Sequence, residues 1–390
     1  MTPEGRITIE IFPGEAAVKI ASTRPLTITR QFSGHRPKDV VRSVSLLFAT
    51  CRAAQAIASA EAFENALGLV PPESTKKVRA LLVLAETARE HALRIMMDWP
   101  QFLCAPEEPQ ALRLQRLMHI DRDLRRSLDE RGGAICIGGV CARHKDSRKS
   151  AIAKLKALLE LTIFAEDLDR LQTKFSLQDL KQWARAGRTL AQRLLRQLFD
   201  DGLSTVGSVQ VSTLPLLEPV SLAERLFAED AEQFIAQPDW EGLPRETSPL
   251  TRSAGHPLVD ALKADEGFGL VARLVACLSE LSWIPARMLD ILDTLDEGTQ
   301  LEEQPLRGGG VGVGQIEAAR GRLVHAVELV DEKVSRYRIL APTEWNFHPE
   351  GAAARGLARI AERGGEHCAD LARLFVTAVD PCVGADVRVH

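Results

Sequence analysis

The chain has 390 residues, 45% of them hydrophobic and 26% charged, the make-up of a globular protein that buries a full core. Its 49 Lys and Arg against 53 Asp and Glu leave a formal net charge of -4, so no overall positive field favours nucleic acid or an anionic membrane. No uninterrupted apolar run reaches the roughly 18 residues of a membrane helix. The opening Met1-Thr2-Pro3-Glu4-Gly5 carries no basic-then-apolar leader, and a cytoplasmic location is expected.

Seven scattered cysteines, at 51, 104, 136, 141, 277, 368 and 382, are expected to stay as free thiols in such a reducing compartment. With 5% aromatic residues and a single tyrosine, Tyr337, the chain lacks the exposed rings that stack bases or sugars. The length allows two average domains, but one unit spanning 1–390, with a loop-rich segment at about 238–257, is the reading preferred.

In chain order, Ile7 to Ile11 and Leu26 to Thr29 alternate as strands around Pro13-Gly14, predicting a small antiparallel unit. Pro37 then opens one long apolar-periodic helix that carries Cys51 and stops at Gly68 before Pro71-Pro72. Ser74 to about Met97 and Pro109 to about Asp129 predict the next two helices. Further helical patterns cover roughly 149–164, 177–200, 221–236 and 268–296. A second small sheet is expected over 311–340, with the Gly308 to Gly314 run as a hairpin turn, and two short helices near 351–363 and 366–377 lead to Cys382. The fold class is therefore mainly α, with minor β elements.

Several boxes, in order, resemble the large subunit of nickel-iron hydrogenases. Gly34, Pro37 and Asp39 precede Cys51, and Glu64-Asn65-Ala66-Leu67-Gly68 closes its helix. Glu246-Thr247-Ser248-Pro249-Leu250-Thr251-Arg252 is similar to a Glu-Thr-Gly-Pro-Leu-Ala-Arg loop, and Glu317 to His325 to a Glu-Ala-Pro-Arg-Gly-x-Leu-x-His turn. Pro342-Thr343-Glu344-Trp345-Asn346 and Asp380-Pro381-Cys382 complete the set. The resemblance implies a hydrogenase large-subunit-like helical core.

The departures bear on function. Of the four thiols that hold nickel and iron in that family, only Cys51 and Cys382 remain, with Phe48 and Ala385 at the other two positions. Gln55 replaces a histidine, and Thr29 stands where the family has a glutamate thought to relay protons. A cysteine-poor chain of this kind is similar to the degenerate hydrogenase assembly, or expression/formation, proteins of the HupK and HoxV kind. That implies a non-catalytic maturation protein, a scaffold that transiently holds iron with its cyanide and carbon monoxide ligands on Cys51 and Cys382, without nickel. Arg320, matching an arginine over the family's metal site, would bind the cofactor, and the alternative is a metal-free chaperone of the immature large subunit. Expected partners are hydrogenase maturation proteins and the authentic large subunit, with neither nucleic acid nor membrane.

Thiolates are soft donors suited to low-spin iron, whereas two cysteines alone make a poor zinc site. Cys136, Cys141 and His144 are spaced so that they could chelate a metal, but they read better as incidental groups in a glycine-rich loop. His91, His325 and His367 have no partner spacing and receive no role.

Overall fold

The computed structural model describes residues 5–390 except 16, 49, 105–110, 140–144, 174–175, 211, 296–309 and 366. It is mainly helical, with two three-stranded sheets and a two-residue ladder between Asp239–Trp240 and Leu243–Pro244. Strands β1 (Arg6–Phe12) and β2 (Ala17–Ser22) form the expected antiparallel hairpin, with Ile7, Ile9 and Ile11 turned into the core on alternate positions. The second strand comes earlier than predicted. Leu26 to Thr29, read as a strand, lies instead in a 3-10 helix, Leu26–Phe32, that follows Pro25.

The long helix expected from Pro37 to Gly68 is two helices, α1 (Pro37–Leu47) and α2 (Arg52–Leu67), broken at Phe48 to Cys51. The cause lies in α3 (Glu73–Met97). In a continuous helix the Ala54 N–H would donate to the Thr50 carbonyl. Here Ala53 and Ala54 donate to the Glu86 carboxylate at 2.8 and 3.0 Å, while the Thr50 carbonyl accepts from Arg89 at 2.9 Å. Side chains of a neighbouring helix have taken both halves of the missing bond. At its other end α2 stops as read, at Gly68 in the left-handed region with φ 70°.

The pattern over 177–200 also divides, into Leu177–Arg185 and Leu190–Asp200, each started by a capping box. That over 221–236 divides into Pro219–Phe227 and Ala231–Ala236. A single helix, α4 (Leu270–Asp293), runs through the core as expected.

The second sheet is a meander of β3 (Gly310–Ala318), β4 (Gly321–Val330) and β5 (Lys333–Leu340), paired antiparallel throughout. Val311 to Gly314 is strand, as expected of the second sheet, so the hairpin-turn reading of the glycine run does not hold from Gly310 onward, while Gly308 and Gly309 lie outside the described residues. The glycines serve contact. A Cβ at Gly310, Gly312 or Gly314 would lie 2.5, 2.0 or 2.1 Å from the carbonyl oxygens of Ala66, Ala62 and Ala58. Bare strand backbone thus lies on the alanine stripe of α2, which recurs every four residues.

Helix α5 (Cys368–Val379) ends at Asp380, whose φ of 60° turns the chain sharply. The segment beyond is a strand, β6 (Gly384–Val389), parallel to β1 and on the side of it opposite β2. Ala385, Val387 and Val389 pack against the core from it, as does Val383 just before it. Among the described residues no helix is long and apolar enough to cross a membrane.

Candidate functional site

The α1–α2 break sets Cys51 at the cap position of α2, on the wall of a cavity of about 340 Å³. Cys382, just past the Asp380 turn, lines the same cavity, so residues from opposite ends of the sequence meet there. The Thr343 hydroxyl donates to the Cys382 sulfur at 2.9 Å, and the Cys382 amide donates to the Thr343 oxygen at 3.2 Å. Phe48, Thr29 and Gln55 also line the cavity. Ala385, at the other vacated cysteine position, sits on β6 opposite Ile7.

Arg320 stands behind the thiols. One of its guanidinium nitrogens lies 3.6 Å from the Cys51 sulfur and 3.0 Å from Glu90, and its Nε is 3.2 Å from an Asp380 oxygen. The Nε contact is one of charge only, since its direction makes no hydrogen bond. Asp380 also pairs with Arg94, and although burial disfavours its charge, the two guanidinium groups hold its carboxyl below the usual range. Burial pushes the Cys51 thiol well up, with Arg320 acting the other way, so Cys51 rests as a neutral thiol.

The hydrogenase-like boxes interlock around this arginine. Asn346 donates to the Arg320 carbonyl at 3.2 Å and accepts from the Thr247 amide at 2.9 Å. Arg252 donates to the Ala319 carbonyl at 2.9 Å and forks onto Glu280. Gly321 has φ 133°, and a Cβ there would lie 2.2 Å from the Thr247 carbonyl oxygen, so only glycine brings the strand turn this close to the 246–252 loop. The 246–252 loop and the 342–346 box thus supply two sides of a frame for the 319–320 backbone.

Beneath the cavity Gln55 meets His325 at 2.8 Å, His325 meets Tyr337 at 2.7 Å, and Tyr337 meets Ser59 at 2.7 Å. Complete burial lowers His325 to about 3, so it is a neutral structural histidine. Its folded value lies below its ordinary value of about 6.5, so acid favours the unfolded chain, which takes up the proton first. This stability is complete above about pH 6.5 and is lost progressively as pH falls toward 3. At pH 5 the deficit is about 2 kcal/mol. Urea titrations at pH 7.5 and 5 are expected to show that loss in the wild type and a correspondingly smaller one in His325→Gln.

Sequence reasoning missed Arg24 and gave no role of its own to Glu344 of the Pro342 to Asn346 box; the two form an ion pair on the cavity wall. Burial works against the charge on Arg24, but the paired Glu344 carboxylate favours it, and the guanidinium is held above its usual range. Nothing local in the sequence marks Arg24, whose partner is distant. Cys136 is exposed, with its thiol donating to the Gly132 carbonyl at 3.3 Å, whereas Cys141 and His144 lie outside the described residues. Among the described residues no group of three or more His, Cys, Asp or Glu side chains is placed to hold a metal ion.

Residues 258–383 match the family described as nickel-dependent hydrogenase. Over 97% of its length the chain is 30% identical to the hydrogenase expression/formation protein HoxV of Cupriavidus necator, covering 94% of that protein. It is 28% identical to the hydrogenase expression/formation protein HupK of Azotobacter vinelandii, with 99% and 98% of the two chains covered. In structure it is similar to the Ni-Fe-Se hydrogenase of D. vulgaris Hildenborough, with a TM-score of 0.65 and 19% identity over 94% of this chain and 93% of that one. The last likeness establishes the fold, which is that of a hydrogenase large subunit.

Proposed function

Since the chain belongs to the hydrogenase expression/formation proteins of the HoxV and HupK kind, we propose that it is a non-catalytic scaffold for building the nickel-iron site. It holds iron with cyanide and carbon monoxide ligands as cargo on Cys51 and Cys382, then yields it to the authentic large subunit. The observation that carries this reading is that the two remaining thiols line one cavity, with Arg320 beside Cys51.

A bare metal ion would want more donors than two thiols, but an iron that arrives with its own diatomic ligands needs few. The apolar lining, including Ile28, Leu323, Ile339 and Val383, suits carbon monoxide, and the guanidinium of Arg320 offers fixed donors to a cyanide nitrogen. Both thiols would give up protons on loading. With Phe48 and Ala385 at two of the four thiol positions, nickel is not expected. The reading places the protein in the cytoplasm, with hydrogenase maturation proteins as donors and the large subunit as recipient, and with no nucleic acid or membrane partner.

The test is infrared spectroscopy on protein purified anaerobically with the maturation proteins. Cyanide and carbonyl stretches are expected in the wild type and should vanish in Cys51→Ala. Stretches that survive the substitution would remove Cys51 from the site. A second reading, a metal-free chaperone that shields the immature large subunit, draws on the small number of metal donors at the cavity. Full maturation activity in Cys51→Ala would favour it.

A further inference from the structure

Most of the cavity wall is apolar. Among the described residues that line it only Arg24 and Glu344 carry charge, whereas Arg320 lies behind Cys51 and is not part of the lining. Arg24 enters from the turn after β2, where its main chain is closely held. Its amide donates to the Ser22 hydroxyl at 3.2 Å, and its carbonyl accepts from the Leu26 amide at 2.9 Å. A Cβ at Gly5, which has φ 74°, would lie 2.6 Å from the Arg24 Cα, so only glycine lets the chain before β1 press against it. The Arg24 side chain is 11% exposed, and one guanidinium nitrogen pairs with Glu344, whose other oxygen accepts from the Ala341 amide at 3.2 Å. Thr343, beside Glu344, donates to the Cys382 sulfur, so one turn of chain fixes both the arginine and the cysteine. The other two guanidinium nitrogens of Arg24 have no hydrogen-bond partner among the described residues. On an exposed arginine water would serve such groups, but this one stands in a largely apolar wall. Burying an ion pair seldom adds stability, so the fold alone does not account for this one.

We propose that Arg24 is a cargo-binding residue, which donates from these two nitrogens to the nitrogen of an iron-bound cyanide beside Cys382. The inference deepens the scaffold reading and rests on it. A cyanide held to iron through carbon keeps a lone pair and much of its negative charge on nitrogen, and a guanidinium is a strong, fixed donor to such an atom. Carbon monoxide is a far weaker acceptor. Glu344, as a carboxylate, can only accept, so its part is to hold the guanidinium in place with the other N–H groups left over. The pair thereby sorts the diatomic ligands, drawing cyanide toward Arg24 and leaving carbon monoxide to the apolar wall at Ile28 and Leu323.

The experiment is infrared spectroscopy of the full chain purified anaerobically with the maturation proteins, together with the rate at which bound iron is lost on dilution. Arg24→Gln is expected to displace a cyanide stretch by more than the carbonyl stretch and to speed iron loss about tenfold, the effect of one charged hydrogen bond. Arg24→Lys keeps the charge without the rigid fork, and should hold iron better than Arg24→Gln while still moving the cyanide stretch. Arg30→Gln is the control, since Arg30 pairs with Glu232 and does not line the cavity, and it should change neither quantity. Circular dichroism checks folding, and if Arg24→Gln does not fold the stretches of Arg24→Lys decide. Wild-type stretches that both Arg24 variants leave unmoved would overturn the proposal and leave the scaffold reading standing. Equal displacement of the cyanide and carbonyl stretches would mean that the charge acts through the iron and not on cyanide, which also overturns it. Absence of stretches from the wild type would strike the scaffold reading, and this proposal with it.

Discussion

Asp380→Asn is expected to destabilise the fold by about 3 kcal/mol and to free Cys382. The carboxylate is the shared partner of Arg320 and Arg94, and its removal leaves two guanidinium groups with fewer counter-charges in a largely buried setting. Losing one member of a buried pair costs about 3–5 kcal/mol. The lower end applies here because Asp380 and Arg94 keep 14% and 24% of their side chains exposed. The change appears as a lower urea midpoint at constant m. Asparagine also tolerates the left-handed backbone that Asp380 adopts, so turn strain does not confuse the result. Alkylation followed by mass spectrometry should show Cys382 reacting faster than in the wild type. Unchanged reactivity with lowered stability would mean that Thr343, and not Asp380, fixes the cysteine.

Gly312→Val is the second large effect, with an expected loss of at least about 3 kcal/mol. A Cβ alone would stand 2.0 Å from the Ala62 carbonyl oxygen and 2.4 Å from the Ala66 nitrogen, both backbone atoms of a buried helix. Relief requires β3 and α2 to part along their length, and α2 is the helix that presents Cys51. Thermal and urea unfolding check the prediction. A loss below about 1 kcal/mol would show that the helix can slide to make room.

The helices and the second sheet were legible because their apolar periods persist over whole elements, as in Glu73–Met97 and Leu270–Asp293. Arg320 was legible as part of a contiguous box. The break before Cys51 was not, since it depends on Glu86 and Arg89 reaching across from another helix. Nor was the contact purpose of Gly310, Gly312 and Gly314, because glycine before a meander also signals a turn. The strand at 384–389 did carry a signal, with Ala385, Val387 and Val389 alternating against Asp386 and Arg388.

The parallel pairing of β6 with β1 has a consequence for how the protein is made. The central strand of that sheet leaves the ribosome first among the described elements and its neighbour β6 last. Domains begin to fold during synthesis, but a pairing of such long sequence separation must wait for its later member. Until then β1 presents an open edge, and Cys51 faces a half-built cavity without Cys382. On the proposed scaffold reading, a nascent chain that has not yet delivered Cys382 would offer the cargo only Cys51.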